Sequence, residues 1–108
     1  MGSRAVLTFD KDLNPNSVGV YLHWHGSLKS VLGILADVRS YARNPEADPS
    51  YAFARLVEAC CRAAGERQEG SVGVGTLSDL DTDNGDHGTY IIGGIWEIVE
   101  RRFARESA

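Results

Sequence analysis

Two helix patterns stand back to back in the middle of this chain, with strand-like runs on either side, and that order admits few architectures. Ser27 can cap the first helix, because its hydroxyl can accept one of the unpaired N–H groups at a helix start. Over 28–43, Leu28, Val31, Leu32, Leu35, Val38 and Ala42 recur at spacings of three and four, while Lys29, Asp37 and Arg43 can face water. Asn44-Pro45 closes the pattern, since the residue before a proline is pushed out of helical geometry. A second start signal follows: Asp48 serves as cap and Pro49 takes the first helical position, where its missing N–H costs nothing. Phe53, Leu56, Val57, Cys60 and Ala64 then form one stripe that Gly65 can terminate.

The flanks read as strands. Residues 5–10 form a short apolar run, and the turn-rich 12–17 connects it to 18–25. At a period of two, His23 and His25 share a face with Tyr21, while Val18, Val20, Leu22 and Trp24 point to a core. Residues 71–77 alternate small and branched side chains as a third strand would, and 89–92 resemble a fourth. Gly93-Gly94 suits a tight hairpin turn, with 95–99 returning as a fifth strand. Ile95, Ile98, Val99, Arg102 and Phe103 also fall at helical spacing; the β-branched density and the double glycine favour the strand. The expected fold is α+β, in the order β-β-α-α-β-β-β, with two helices on one face of a mainly antiparallel sheet.

At 108 residues the chain fits one domain, and its 43% apolar content argues against general disorder. Fifteen acidic against 11 basic residues give a net charge of −4, which disfavours nonspecific nucleic-acid binding. No stretch has the length of a transmembrane helix, and no basic segment leads into an apolar run at the N-terminus, so a cytoplasmic location is expected. Cys60 and Cys61 are adjacent in a helix and point about 100° apart, so they are not expected to bridge each other or share a metal.

Three groups of residues offer chemistry. The His23/His25 pair, joined by His87 from the acidic run Asp79-Leu-Asp-Thr-Asp-Asn-Gly-Asp-His87, could surround a divalent metal if the sheet brought the three together. The same acidic run resembles a calcium loop but departs from it where selectivity arises. Counting from Asp79, Asn84 holds the glycine position and Tyr90 the bidentate glutamate position. Asn84-Gly85 reads better as a turn with solvated carboxylates around it, which can attract a basic partner surface. Arg101, Arg102 and Arg105 in the tail could meet phosphate, and among the tyrosines and tryptophans one or two can serve as interface anchors. No dinucleotide fingerprint, Walker loop, zinc-finger spacing or nucleophile elbow is present.

In the blocks Val20-Tyr-Leu-His-Trp-His-Gly26, Asp48-Pro-Ser-Tyr-Ala-Phe-Ala-Arg-Leu56 and Leu80-Asp-Thr-Asp-Asn-Gly-Asp-His-Gly-Thr-Tyr90, the chain resembles small uncharacterised proteins of bacterial, phage and plasmid genomes. The resemblance supplies no residue roles. It implies a setting in which small proteins bind and inhibit host machines, anti-CRISPR proteins among them.

Together these readings lead to an expected non-enzymatic protein-binding module without a cofactor, with Tyr21, His23, Asp81, Asp83 and Asp86 as contact candidates for a host protein or complex. The alternatives are a small metal-dependent hydrolase using His23, His25 and His87, and a nucleic-acid binder using the C-terminal arginines. A homodimer through an exposed sheet edge or an aromatic patch is also open.

Overall fold

A computed structural model describes residues 3–65 and 71–103. The element order is β1 (Ala5–Thr8), β2 (Val18–Leu22), α1 (Leu28–Arg39), α2 (Pro49–Ala64), β3 (Val72–Thr76), β4 (Thr89–Ile92) and β5 (Ile98–Arg102). The strands form one sheet in the spatial order β3-β2-β1-β4-β5. Every pairing is antiparallel except β1 with β4, which is parallel, so the α+β expectation holds with one mixed junction at the centre.

Both helices pack on the same face. Ala5, Leu7, Val20, Leu22, Tyr90 and Ile92 point from the sheet into a core completed by Val31, Ile34, Leu35 and Val38 of α1 and Ala52, Leu56, Ala59 and Cys60 of α2. The α2 signals are realised as read. The Asp48 side chain accepts from the Tyr51 N–H, Pro49 opens the helix, and Gly65 ends it with a φ of 58°. Ser27 caps α1 by accepting from the Ser30 N–H. Burial pushes the Cys60 thiol up to about 12, which keeps it protonated and inert in the core.

Four expectations need correction. Helix α1 ends at Arg39 rather than 43, with Ser40 as its C-cap and the Ser40 hydroxyl bonding back to the Asp37 carbonyl. Its buried stripe includes Ile34, whereas Leu28 and Leu32 are exposed, because α1 meets α2 as well as the sheet and is rotated accordingly. Val18 and Trp24, expected in the core, are 50% and 39% exposed: Val18 borders an open groove of about 450 Å³ beneath Pro49, Ser50 and Phe53 of α2, and β2 stops at Leu22. The fifth strand begins at Ile98, not 95, because residues 93–97 form a longer loop closed by the Gly93 N–H on the Glu97 carbonyl.

The connection from β3 to β4 must pass β2 and β1 to reach the far side of β1. It does so over residues 77–88 on the face opposite the helices, where Leu77 and Leu80 lie against Gly19. A Cβ at Gly19 would come within 2.8 Å of Leu77, so the missing side chain there admits the crossing segment. Among the described residues no helix is long and apolar enough to cross a membrane.

Candidate protein-binding surface

The chain leaves strand geometry after Leu22, and this separates the two strand histidines. The Tyr21 hydroxyl pairs with His23 Nδ1 at 2.9 Å, and the Trp24 ring stands edge-on to the His23 ring with centroids 4.7 Å apart. The result is a continuous row, Tyr21–His23–Trp24, whose last ring is open to solvent. His25 instead lines a cavity of about 370 Å³ between the helices, beside Ser30, Gly33 and Asp37 of α1 and Ala59 and Arg62 of α2. Its Nε2 is buried there without a hydrogen-bond partner among the described residues.

The crossing segment is organised by one amide. Asn84, 2% exposed, accepts at Oδ1 from the N–H groups of Asp86, His87 and Gly88, and donates from Nδ2 to the carbonyls of Asp81 and Gly88. Arg4, just ahead of β1, then binds the acidic run: its Nε reaches Asp86 at 2.9 Å and its Nη1 reaches Asp81 at 3.2 Å. The Arg4 side chain and main-chain N–H hold the Asp86 carboxyl below the usual carboxylate range. Tyr21 feels the same charges, and its hydroxyl is raised mainly by partial burial. Asp83 is exposed on the same turn.

His87 faces a different set of groups. Arg101 can only donate, so its contact with His87 Nδ1 at 3.1 Å marks that nitrogen as unprotonated, and Nε2–H is left to donate to the Ser3 hydroxyl at 2.8 Å. The Arg101 guanidinium lies between the Tyr90 and Phe103 rings, 4.7 and 4.8 Å from their centroids.

Of the residues singled out in the sequence, the fold therefore brings together Tyr21 and His23, and sets Asp81 and Asp86 on a shared cation. The three histidines have separate surroundings, and among the described residues no group of three or more His, Cys, Asp or Glu side chains could hold a metal ion. The calcium-like run does not aim its oxygens at one point: Asp81 and Asp86 turn to Arg4, and Asp79 accepts from the Thr76 hydroxyl. Of the tail arginines, Arg101 is held by His87 and two rings, Arg102 pairs with Glu100, and Arg105 lies outside the described residues. One residue of this surface escaped the sequence reading and another was placed on the wrong face. Arg4 carries no pattern that could announce it, and Trp24, although among the aromatic anchor candidates, was placed on the core face because the strand was extended too far. No known protein family, curated protein or solved structure matches the chain.

The Arg4–Asp86 contact predicts a pH response. A carboxyl depressed in the folded state stabilises it fully above the unfolded pKa, and that contribution disappears as pH falls through the folded value. In Arg4→Met the Asp86 carboxyl is expected to return toward its ordinary range. Asp10, held low by the Ser17 hydroxyl and the Asp12 and Asn14 N–H groups, is expected not to move. Side-chain carboxyl NMR titration of both proteins checks this, and equal Asp86 midpoints would refute it.

Proposed function

We propose that this protein is a non-enzymatic protein-binding module that works in the cytoplasm and docks a basic host protein or complex. In its most concrete form it is a mobile-element inhibitor of a host defence assembly, of the anti-CRISPR kind. The observation that carries the reading is the Tyr21–His23–Trp24 row beside carboxylates fixed by Arg4. A ring anchored from behind loses little side-chain freedom on binding, and rigid aromatics make effective anchors at the centre of interfaces. Asp81, Asp83 and Asp86 next to it supply negative charge that steers a cationic partner and fixes its orientation. The hydrolase alternative loses support because its three histidines meet different neighbours. The nucleic-acid alternative loses support because Arg101 and Arg102 already have partners within the fold.

The test is affinity capture from host lysate, followed by calorimetry with the purified partner. Trp24→Ala is expected to weaken binding roughly tenfold or more, and Asp81→Asn with Asp83→Asn to weaken it and reduce its salt dependence. Binding unchanged in both variants, or catalytic turnover by the purified protein, would sink the reading.

A further inference from the structure

The two edges of the sheet are not alike. Strand β5 carries Glu100, Arg101 and Arg102, and a register shift between Ile91 and Ile92 leaves Val99 as an extra, bulged residue. Charges and bulges are what keep a free edge from pairing with another chain. Strand β3, at the other edge, has the sequence Val-Gly-Val-Gly-Thr, with no charge, no proline and no bulge.

The ladder fixes which groups of β3 face outward. The His23 N–H donates to the Ser71 carbonyl and the Leu77 N–H to the Ser17 carbonyl, so the pairs bonded to β2 are Ser71, Gly73, Gly75 and Leu77. Val72, Val74 and Thr76 alternate with them and turn their main-chain groups away from the sheet. The Thr76 carbonyl is taken by the Asp79 and Leu80 N–H groups. The remaining outward groups, which are the N–H and C=O of Val72 and Val74 and the N–H of Thr76, have no partner among the described residues.

We propose that β3 pairs with β3 of a second copy, antiparallel and centred on Val74, to make one continuous ten-stranded sheet. Apart from the Val72 N–H, the outward groups are complementary to themselves in that register. The Val74 N–H donates to the Val74 carbonyl of the second copy, and the Thr76 N–H donates to its Val72 carbonyl, each twice by symmetry. The Val72 N–H faces the Thr76 carbonyl, which already accepts from Asp79 and Leu80, so four of the six ladder bonds of this register form. On the helix side Val74, 56% exposed, meets its counterpart across the two-fold axis, with exposed Val18 on the adjoining strand. On the other side Gly73 and Gly75 present no side chains to obstruct the approach. Helix α2 packs above β3, and helical periodicity turns Val57 and Cys61 to its flank away from α1, so the joined sheet sets two such apolar flanks side by side. An isologous two-fold contact of this kind closes on itself and does not propagate into a fibre.

Sedimentation velocity on the intact protein over roughly 5–500 µM reads the association directly. Amide hydrogen exchange followed by NMR at both ends of that range reads the register. The expected result is a concentration-dependent dimer in which the Val74 and Thr76 amides become protected as it forms, while Gly73 and Gly75 are protected throughout. Val74→Lys puts like charges opposite each other and Val74→Pro removes an outward donor only; each is expected to weaken the dimer roughly tenfold or more with the far-UV circular dichroism unchanged. A monomer at every concentration would overturn the proposal. So would a dimer in which the Val74 amide stays unprotected, which identifies another surface, or protection only when an extended peptide is added, which identifies β3 as a site for a foreign strand. The exchange measurement needs no variant, so it decides the matter even if a substitution prevents folding.

Discussion

Asn84→Ala is expected to lower the free energy of unfolding by about 3 kcal/mol, a large part of the 5–15 kcal/mol that holds a typical domain together. The methyl group can replace none of the five hydrogen bonds made by the amide, and it leaves the Asp86 and Gly88 N–H groups without their acceptor, while the His87 N–H keeps the Arg4 carbonyl. Gly88 is buried and its carbonyl also receives the Val6 N–H, so the damage reaches the start of the central strand pair. Asn84→Asp keeps the acceptor oxygen and loses the two Nδ2 donations, which separates the roles of the two ends of the side chain. Urea unfolding of the three proteins measures the difference. A change within about 0.5 kcal/mol for Asn84→Ala would mean that water replaces the amide and that the crossing segment is not organised by it.

Trp96→Ala is expected to cost about 3–5 kcal/mol, as truncation of a buried large aromatic does. Trp96 is 3% exposed, its ring packs at 5.7 Å from that of Phe9, and its Nε1–H donates to the Arg43 carbonyl at 3.1 Å. One side chain thus ties the β4–β5 loop, the end of β1 and the segment between the helices. Its φ of 59° lies in the left-handed region, which a non-glycine residue occupies at a cost that the buried ring must offset. Trp96→Phe keeps most of the ring contact and loses the hydrogen bond, for an expected cost nearer 1 kcal/mol. Equal losses for the two variants in denaturant unfolding would place the whole effect in the Nε1 contact instead of the packing.

What was legible in the sequence follows from which forces are local. Caps and periodicity are written within a few residues, so Asp48, Pro49 and Gly65 bounded α2 correctly, and the range of β4 was read without error. The spatial order of strands depends on contacts between distant segments, and nothing in 5–8 or 89–92 announces that they lie side by side. The glycine pair at 93–94 suggested a two-residue turn, but Trp96 needs the longer loop to reach Phe9 and Arg43, and that requirement is tertiary. In the candidate surface, Tyr21 and His23 followed from strand alternation. Alternation failed at Trp24 and His25 because the Ser3 N–H takes the His23 carbonyl and the chain bends there toward α1. The acidic run was visible as charge, yet its conformation depends on Arg4, a residue with no local signal.

The parallel junction between β1 and β4 bears on how the chain acquires its shape. Val6 aligns with Thr89, so the middle of the sheet joins the beginning of the chain to nearly its end. Closing so long a loop is entropically expensive, and such pairings come late and slowly in folding. During synthesis β1 and β2 can form their hairpin early, and the helices can dock on it, but one side of β1 stays open until β4 has left the ribosome. In that interval the apolar run Ala5–Thr8 is an unsealed edge, the most vulnerable stage in the life of the molecule.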